Sequence, residues 1–279
     1  MTQISQDTCN LNASELTQLL PQFELELHGL IDSTQIRARE RVLAGHRHPA
    51  VVLADGQLAG RGQRGRQWQS PLGAALYLTV IWPSGRRLAK LSGLSLVVGL
   101  SLRACLAHWQ IDAQLKWPND VWVNERKLAG ILVEALADPA GSTLLIGIGL
   151  NICLPAPAAA AIDQDWIDLS LLLDRPPPRN ALLVDLLRQL HGDLCRFEQF
   201  GLSAFIDEWA SADALNNRAI WINSAEQSEA GLALGIDELG RLKVEVGGQI
   251  RFLSAGDVRI RLQSAPLGDS PLPRHRGDQ

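Results

Sequence analysis

Residues 56–66 of this 279-residue chain read GQLAGRGQRGR, with Gly60, Gly62 and Gly65 interleaved among Arg61, Arg64 and Arg66. Glycines leave backbone N–H groups open to close approach, and the guanidiniums set permanent positive charge beside them. That combination suits a phosphate or a carboxylate. A solvated basic turn has the same composition. The three glycines also satisfy the G-x-G-x-x-G spacing of dinucleotide folds. That motif must open a helix, however, and here Gln67 to Gly73 lead into a strand-like run, so the match is accidental. Arginine/glycine segments that bind RNA sit in long disordered tracts, whereas this one lies between two apolar stretches.

Four further groups could act with such a loop. Asp32-Ser33-Thr34-Gln35 puts short polar side chains at a helix entrance, where they serve either as an ordinary N-cap or as ligand contacts. Asn119 and Asp120 set an amide and a carboxylate just before the apolar Val121-Trp122-Val123. Lys127 leaves the hairpin turn Asn124-Glu125-Arg126, a position expected to be exposed. Trp166 follows a Pro/Ala-rich loop, Pro155 to Ala161, expected to be mobile. An anion loop, a lone lysine, a carboxylate beside an amide and a late tryptophan would together serve chemistry between two anions.

The elements that must position these groups follow from periodicity. A short helix from Ser14 to Leu20 and an edge strand through Phe23, Leu25 and Leu27 precede the Asp32 segment. A strand at Ala50–Ala54 delivers the chain to the glycine loop, and Ala74–Trp82 forms the strand after it. Leu88, Leu91, Leu94, Val98, Leu102, Cys105 and Trp109 mark one long core helix. Pro118 interrupts the pattern before Val121, since it has no N–H to give a sheet. Strands follow at Lys127–Leu136 and Thr143–Leu150, a second core helix runs from Leu183 to Phe197, and a short one covers Ser203–Trp209. From Arg218 to Arg261 brief strands alternate with turns, as in a small barrel.

Composition narrows the class. A formal charge of −4 argues against a general nucleic-acid binder, so the positive charge of the glycine loop is local. Cys9, Cys105, Cys153 and Cys195 are far apart and form no C-x-x-C pair, so neither a zinc site nor a disulfide framework is expected, and a reducing cytoplasm fits. No basic-then-apolar leader opens the chain, and no apolar run reaches the ~18 residues of a membrane span.

Taken in order, Asp32-Ser33-Thr34, the GRGxRGRxW run ending at Trp68, Lys116-Trp117-Pro118-Asn119-Asp120, Arg126-Lys127-Leu128-Ala129-Gly130-Ile131-Leu132 and Gly147-Ile148-Gly149-Leu150-Asn151 resemble the biotin protein ligases, over roughly residues 28–262. Several motifs in one order are far more specific than a single glycine run. The resemblance implies an α+β fold: a mixed β-sheet with flanking helices, like a class II synthetase ligase domain, plus a small C-terminal SH3-like β-barrel. It divides the chain into a short extension (1–27), a catalytic biotin- and ATP-binding domain (28–215), the SH3-like domain (216–263) and a disordered tail (264–279). The implied reaction joins biotin to ATP, with Mg2+, as biotinyl-5′-adenylate, and then passes biotin to a lysine of the biotin carboxyl carrier protein of acetyl-CoA carboxylase. Repressor members carry an N-terminal DNA-binding domain. The residues before Leu27 are too few for one, so a monofunctional ligase without a DNA or membrane partner is expected. A homo-oligomer is compatible with the sequence.

The same resemblance implies roles. Ser33, Thr34 and Gln57 sit at biotin's ureido ring, with Gln35 beside them, because ureido donors and acceptors are costly to bury unpaired. Arg61 and Lys127 bridge the biotin carboxylate and the α-phosphate, offsetting the repulsion between two anions. Gly62 and Gly130 allow close backbone approach, and Gln63 lies near the biotinyl-adenylate. Arg64, Arg66, Lys116, Asn119, Asp120 and Asn151 belong to the ATP side, where Asp120 is a magnesium ligand, and Trp166 stacks on adenine. Lys127, Arg61 and Asp120 are the catalytic set. Gln35 and Gln63 depart from the family, which usually has Asn and Arg there. Two other readings stay open: a lipoate or octanoate ligase, needing an apolar slot without the Ser33, Thr34 and Gln57 set, and a non-catalytic ligand- or RNA-binding protein, in which Lys127 is dispensable.

Overall fold

The computed structural model describes residues 11–138, 141–224, 227–256 and 258–263. The start of the expected extension and the tail expected to be disordered from 264 lie outside them.

Helix α1 (Ala13–Leu19) precedes strand β1 (Glu24–Ile31), α2 (Thr34–Leu43), β2 (Ala50–Gln57) and β3 (Ala75–Ser84). Helix α3 (Leu94–His108) leads to β4 (Gln114–Lys116), β5 (Asp120–Val123), β6 (Arg126–Asp138) and β7 (Gly141–Asn151). These strands form a seven-stranded sheet in the order β1-β2-β3-β7-β6-β5-β4, mixed because β1 and β2 are parallel and the other neighbours antiparallel. The short α4 (Ala156–Ala160), the long α5 (Arg179–Phe200) and α6 (Ile206–Ala212) follow.

Period-two alternation gives the sheet two buried faces. Val51 and Leu53 of β2 and Leu76, Leu78 and Val80 of β3 enter the large core beneath α3 and α5. Ala50, Val52 and Ile81 face the other way, onto Ala38 and Val42 of α2. The α2 face carries the site, since α2 covers only part of it and its N-terminus opens over the middle strands.

The long helix expected from Leu88 begins only at Leu94. Gly93 sits at φ 79, in the left-handed region, and a side chain there would come 2.4 Å from Leu202. Leu88 is therefore exposed, in a single 3-10 turn (Leu88–Lys90). Strand β4 was not expected, because three residues are too few to show a period. Pro118 lies in the turn between β4 and β5, where no ladder N–H is needed. The Pro/Ala loop expected to be mobile contains α4.

A second, antiparallel sheet is built from β8 (Ala219–Asn223), β9 (Ser228–Ile236), β10 (Leu242–Val246), β11 (Gln249–Leu253) and β12 (Arg259–Leu262), in the order β11-β10-β9-β8-β12. This five-stranded antiparallel sheet is consistent with the expected SH3-like unit; among the described residues no ladder joins β11 to β12, so it is not a closed barrel. Among the described residues no helix is long and apolar enough to cross a membrane.

Candidate active site

Ser33 separates the two readings of its segment. It occupies the N-cap position of α2, yet its side chain caps nothing. The residue is 1% exposed and its Oγ has no partner among the described residues, an arrangement that costs stability unless a ligand supplies the missing bond. Beside it, the Thr34 N–H and hydroxyl donate to Gln57 Oε1 at 2.9 and 3.2 Å, and Gln57 Nε2 donates to Ser70 Oγ at 2.9 Å. Gln35 is buried below them, donating to Leu145 O at 3.3 Å, with Thr79 Oγ1 3.1 Å from its Oε1. These groups close one end of a cavity of about 470 Å³.

Glycines form part of that cavity's wall, beside Leu78, Ile131, Leu132 and Ile148. Thr79 pairs with Gly147, Tyr77 with Gly149, and Gly149 with Gly130, so Gly130, Gly147 and Gly149 share the Thr79 face and leave a trough across β6 and β7. The Trp68 ring lies in it: a side chain would come 2.5 Å from the ring at Gly149 and 2.8 Å at Gly130. The sequence carried this signal as the Gly147-Ile148-Gly149 alternation, in which the intervening Ile148 enters the core. No sequence signal marks a role for the Trp68 ring or for Thr79.

A second cavity, of about 810 Å³, adjoins the first; both are lined by Gly62, Gln63, Trp68, Asn119 and Lys127. Ser33, Thr34, Gln35, Gln57, Arg61 and Gly130 thus lie only on the first chamber and Arg66, Asp120, Asn151 and Trp166 only on the second, while Gly62, Gln63, Asn119 and Lys127 stand on the wall of both.

Lys127 is not exposed as expected: its side chain is 13% accessible, and its ammonium is 2.7 Å from Asp120 Oδ1 and 5.2 Å from the centre of the Trp68 ring. Asp120 Oδ1 has no well-aligned hydrogen bond, so this contact is a charge pair. The lysine's backbone is fixed as well, its N–H donating to Asp165 O at 3.0 Å and its carbonyl accepting from Ile167 N–H at 2.9 Å, which holds Trp166 alongside. Asn151 Nδ2 donates to Ile167 O at 3.1 Å, and Asn119 Nδ2 to Ile131 O at 2.8 Å.

Lys116 lies over the Trp122 ring at 4.9 Å and lines neither cavity. Burial, the largest cause, pushes its pKa below the usual lysine value. Asp120 opposes that, while Lys127, Arg66 and Arg261 add to it. Positive charge thus converges here from the glycine loop, from β4 and from β12 of the second sheet, where no sequence signal marked Arg261. Arg64, expected at the phosphates, is turned away: it lines neither cavity and donates to Ala255 O at 2.9 Å and Val258 O at 2.6 Å, between β11 and β12. Among the described residues no cluster of three or more His, Cys, Asp or Glu could hold a metal. Asp120 and Asp163 are the carboxylates that line the second chamber, and so small a carboxylate set suits a magnesium ion bound mainly through substrate phosphates.

The pattern of the biotin/lipoate A/B protein ligase family matches residues 29–151. The bifunctional ligase/repressor BirA of Escherichia coli (strain K12) is 34% identical over 256 residues, 90% of this chain and 78% of the relative. The biotin--[acetyl-CoA-carboxylase] ligase of Mycobacterium tuberculosis is 34% identical over 217 residues, 75% and 77% of the two chains. Among solved structures, the biotin protein ligase from Aquifex aeolicus in complex with biotin and ATP aligns with a TM-score of 0.74 at 25% identity, covering 86% of this chain and 99% of that one. A chain that carries the five motifs in order and spans more than three quarters of such relatives belongs to the biotin protein ligases of the biotin/lipoate A/B protein ligase family.

Proposed function

We infer that the protein activates biotin with ATP to biotinyl-5′-AMP and transfers biotin to a lysine of the biotin carboxyl carrier protein of acetyl-CoA carboxylase. One observation carries the assignment of roles: two chambers that share Lys127, the first ending in the unpartnered Ser33 hydroxyl and the Gln57 amide. A slot for an octanoyl or lipoyl chain would end in apolar groups.

In this reading biotin's ureido ring meets Ser33, Thr34 and Gln57, its chain crosses the glycine trough, and its carboxylate reaches Arg61 and Lys127. A carboxylate oxygen attacks the α-phosphorus, and the bond to pyrophosphate breaks. The two cations and the loop N–H groups offset the charge that builds between the anions. Asp120 keeps Lys127 at the junction beforehand and would hold a magnesium ion arriving with the triphosphate, which supplies charge neutralisation for the departing pyrophosphate. Trp166 covers the adenine. The carrier's lysine amine then attacks the acyl carbon, and AMP leaves. We read residues 28–215 as the catalytic unit and 216–263 as the appended one.

The test incubates the protein with ATP, a carrier domain, and either biotin or lipoate. The carrier is expected to gain one biotinyl mass only with biotin and ATP. A gain with lipoate, or none with either, refutes the reading.

Gln63 carries a second expectation. An arginine here would add a forked, charged donor set, whereas glutamine offers two neutral N–H donors. Of the two arginines that follow it, Arg64 is held by the second sheet, which leaves Arg66 to compensate. Gln63→Arg is expected to slow adenylate release about tenfold, the equivalent of ~1.4 kcal/mol, and to reduce stray biotinylation of a bystander protein. Release timed in the absence of carrier checks this, and unchanged values for both would make Gln63 a neutral replacement.

A further inference from the structure

Three of the segments that bring groups to the phosphate side are each tied to the second sheet. On the glycine loop, Arg64 donates to Ala255 O and Val258 O, at the connection between β11 and β12. In the Lys116–Asp120 segment, Trp117, 1% exposed, donates its indole N–H to Gly240 O at 2.9 Å, in the turn before β10. In the hairpin turn just before Lys127, Glu125 pairs with Arg218 at 2.6 Å, at the start of β8. None of the three ties runs through a residue that lines either cavity.

We propose that the second sheet acts as a jig for the phosphate side of the active site, and that Arg64 is the positioning residue through which it holds the glycine loop. The two ends of the loop are held, Leu58 and Ala59 by N–H bonds to Ile31 O and Asp32 O and Trp68 by its seat in the glycine trough, but its tip has little of its own to fix its shape. Its internal backbone bonds are short-range, Gly62 N–H to Arg66 O at 2.7 Å and Trp68 N–H to Gly60 O at 2.9 Å. Its glycines widen the conformations it can sample. Arg64 itself stands at φ 58 in the left-handed region, sparsely populated by residues with a side chain, and the next residue, Gly65, at φ 71. A planar guanidinium engaged with two carbonyls far away in sequence closes this loop over a distance its own bonds do not cover. An exposed arginine that merely found a convenient acceptor would leave the loop unchanged when removed. Arg61 and Gln63, on the cavity walls, take their positions from the backbone Arg64 anchors.

The proposal rests on the ligase reading, so full-length wild type, Arg64→Ala and Arg64→Lys are compared after the wild type has been shown to biotinylate the carrier. Arg64→Ala is expected to keep the wild-type Tm, because the side chain is exposed. It should raise KM for ATP about tenfold, as for loss of a charge-assisted hydrogen bond. KM for biotin should move much less, since Ser33, Thr34 and Gln57 hold the ureido end without the loop's help. Amides 61–66 should exchange faster, and Arg64→Lys, which keeps the charge and a donor, should recover part of the ATP effect. An unchanged KM for ATP with unchanged exchange would overturn the proposal. So would a large fall in kcat at unchanged KM, which would make Arg64 a catalytic group at the phosphates. A lowered Tm with both KM values raised equally would reduce Arg64 to a structural residue and also overturn it. In each case wild-type activity would leave the ligase reading standing.

Discussion

Replacing Lys127 by alanine is expected to abolish adenylate formation, cutting pyrophosphate release on the order of 10²- to 10³-fold, the usual cost of losing one preorganised donor at a reacting anion. The reason is its place: the ammonium stands on the wall common to both chambers, where the proposed reading brings together a carboxylate and an α-phosphate of like sign. Its charge does not arrive with the substrates. Asp120 at 2.7 Å and the Trp68 face at 5.2 Å already hold it there, so little reorganisation remains for the moment of reaction. That pairing also complicates the variant, because alanine leaves Asp120, 14% exposed, without its partner. A parallel Asp120→Asn/Lys127→Ala variant removes the unpaired charge. If it is as slow as Lys127→Ala while its Tm is restored, the loss belongs to catalysis. Pyrophosphate release near the wild-type rate in Lys127→Ala would sink the assignment.

Much of this site was legible in the sequence because its parts are local. The glycine loop, the Asn119-Asp120 pair and the strand that starts beside Lys127 each declare themselves within a few residues, and the large core follows from apolar periods in β3, α3 and α5. What was not legible depends on contacts far apart in sequence. Lys127 reads as exposed from its turn, and only the approach of Asp120 across the β5–β6 pair and of the Trp166 segment encloses it. Arg64 is indistinguishable in the sequence from Arg61 and Arg66, yet a residue in the left-handed region throws its side chain elsewhere, and the acceptors that receive it lie 191 and 194 positions away. Gly93 stops a helix whose apolar period continues through it, because Leu202 occupies the space a side chain would need. The C-terminal strands form the antiparallel sheet expected of an SH3-like unit, with its first and last strands, β8 and β12, paired; turn spacing counts strands but does not say that, among the described residues, β11 and β12 leave the sheet open.

Gly149→Ala is expected to lower kcat/KM for biotin about 10²-fold, as displacements of an ångström at a positioned substrate do. The added methyl would come 2.5 to 2.7 Å from three atoms of the Trp68 ring, well inside van der Waals contact. A flexible side chain could give way cheaply, but Trp68 has little slack. Its N–H donates to Gly60 O at 2.9 Å, and Gly60 in turn has Ser70 Oγ and the Trp68 carbonyl oxygen within 2.6 Å of where a Cβ would stand. The ring can leave the trough only by moving the loop, and the loop carries Arg61, Gly62 and Gln63, all on the wall of the first chamber. In the proposed reading one methyl group therefore acts twice, narrowing the trough that biotin's chain crosses and pushing away Arg61, the loop cation that meets its carboxylate. The fold should survive, since the face opposite Gly149 is untouched and Ile148 and Leu150 keep their places in the core. Trimming the obstructed ring tests the cause: Gly149→Ala/Trp68→Leu should bind biotin more tightly than Gly149→Ala alone if the clash is what does the harm, as calorimetry with biotin would show. A wild-type KM for biotin in the single variant would mean that the trough has room to spare and that Trp68 does not set its depth.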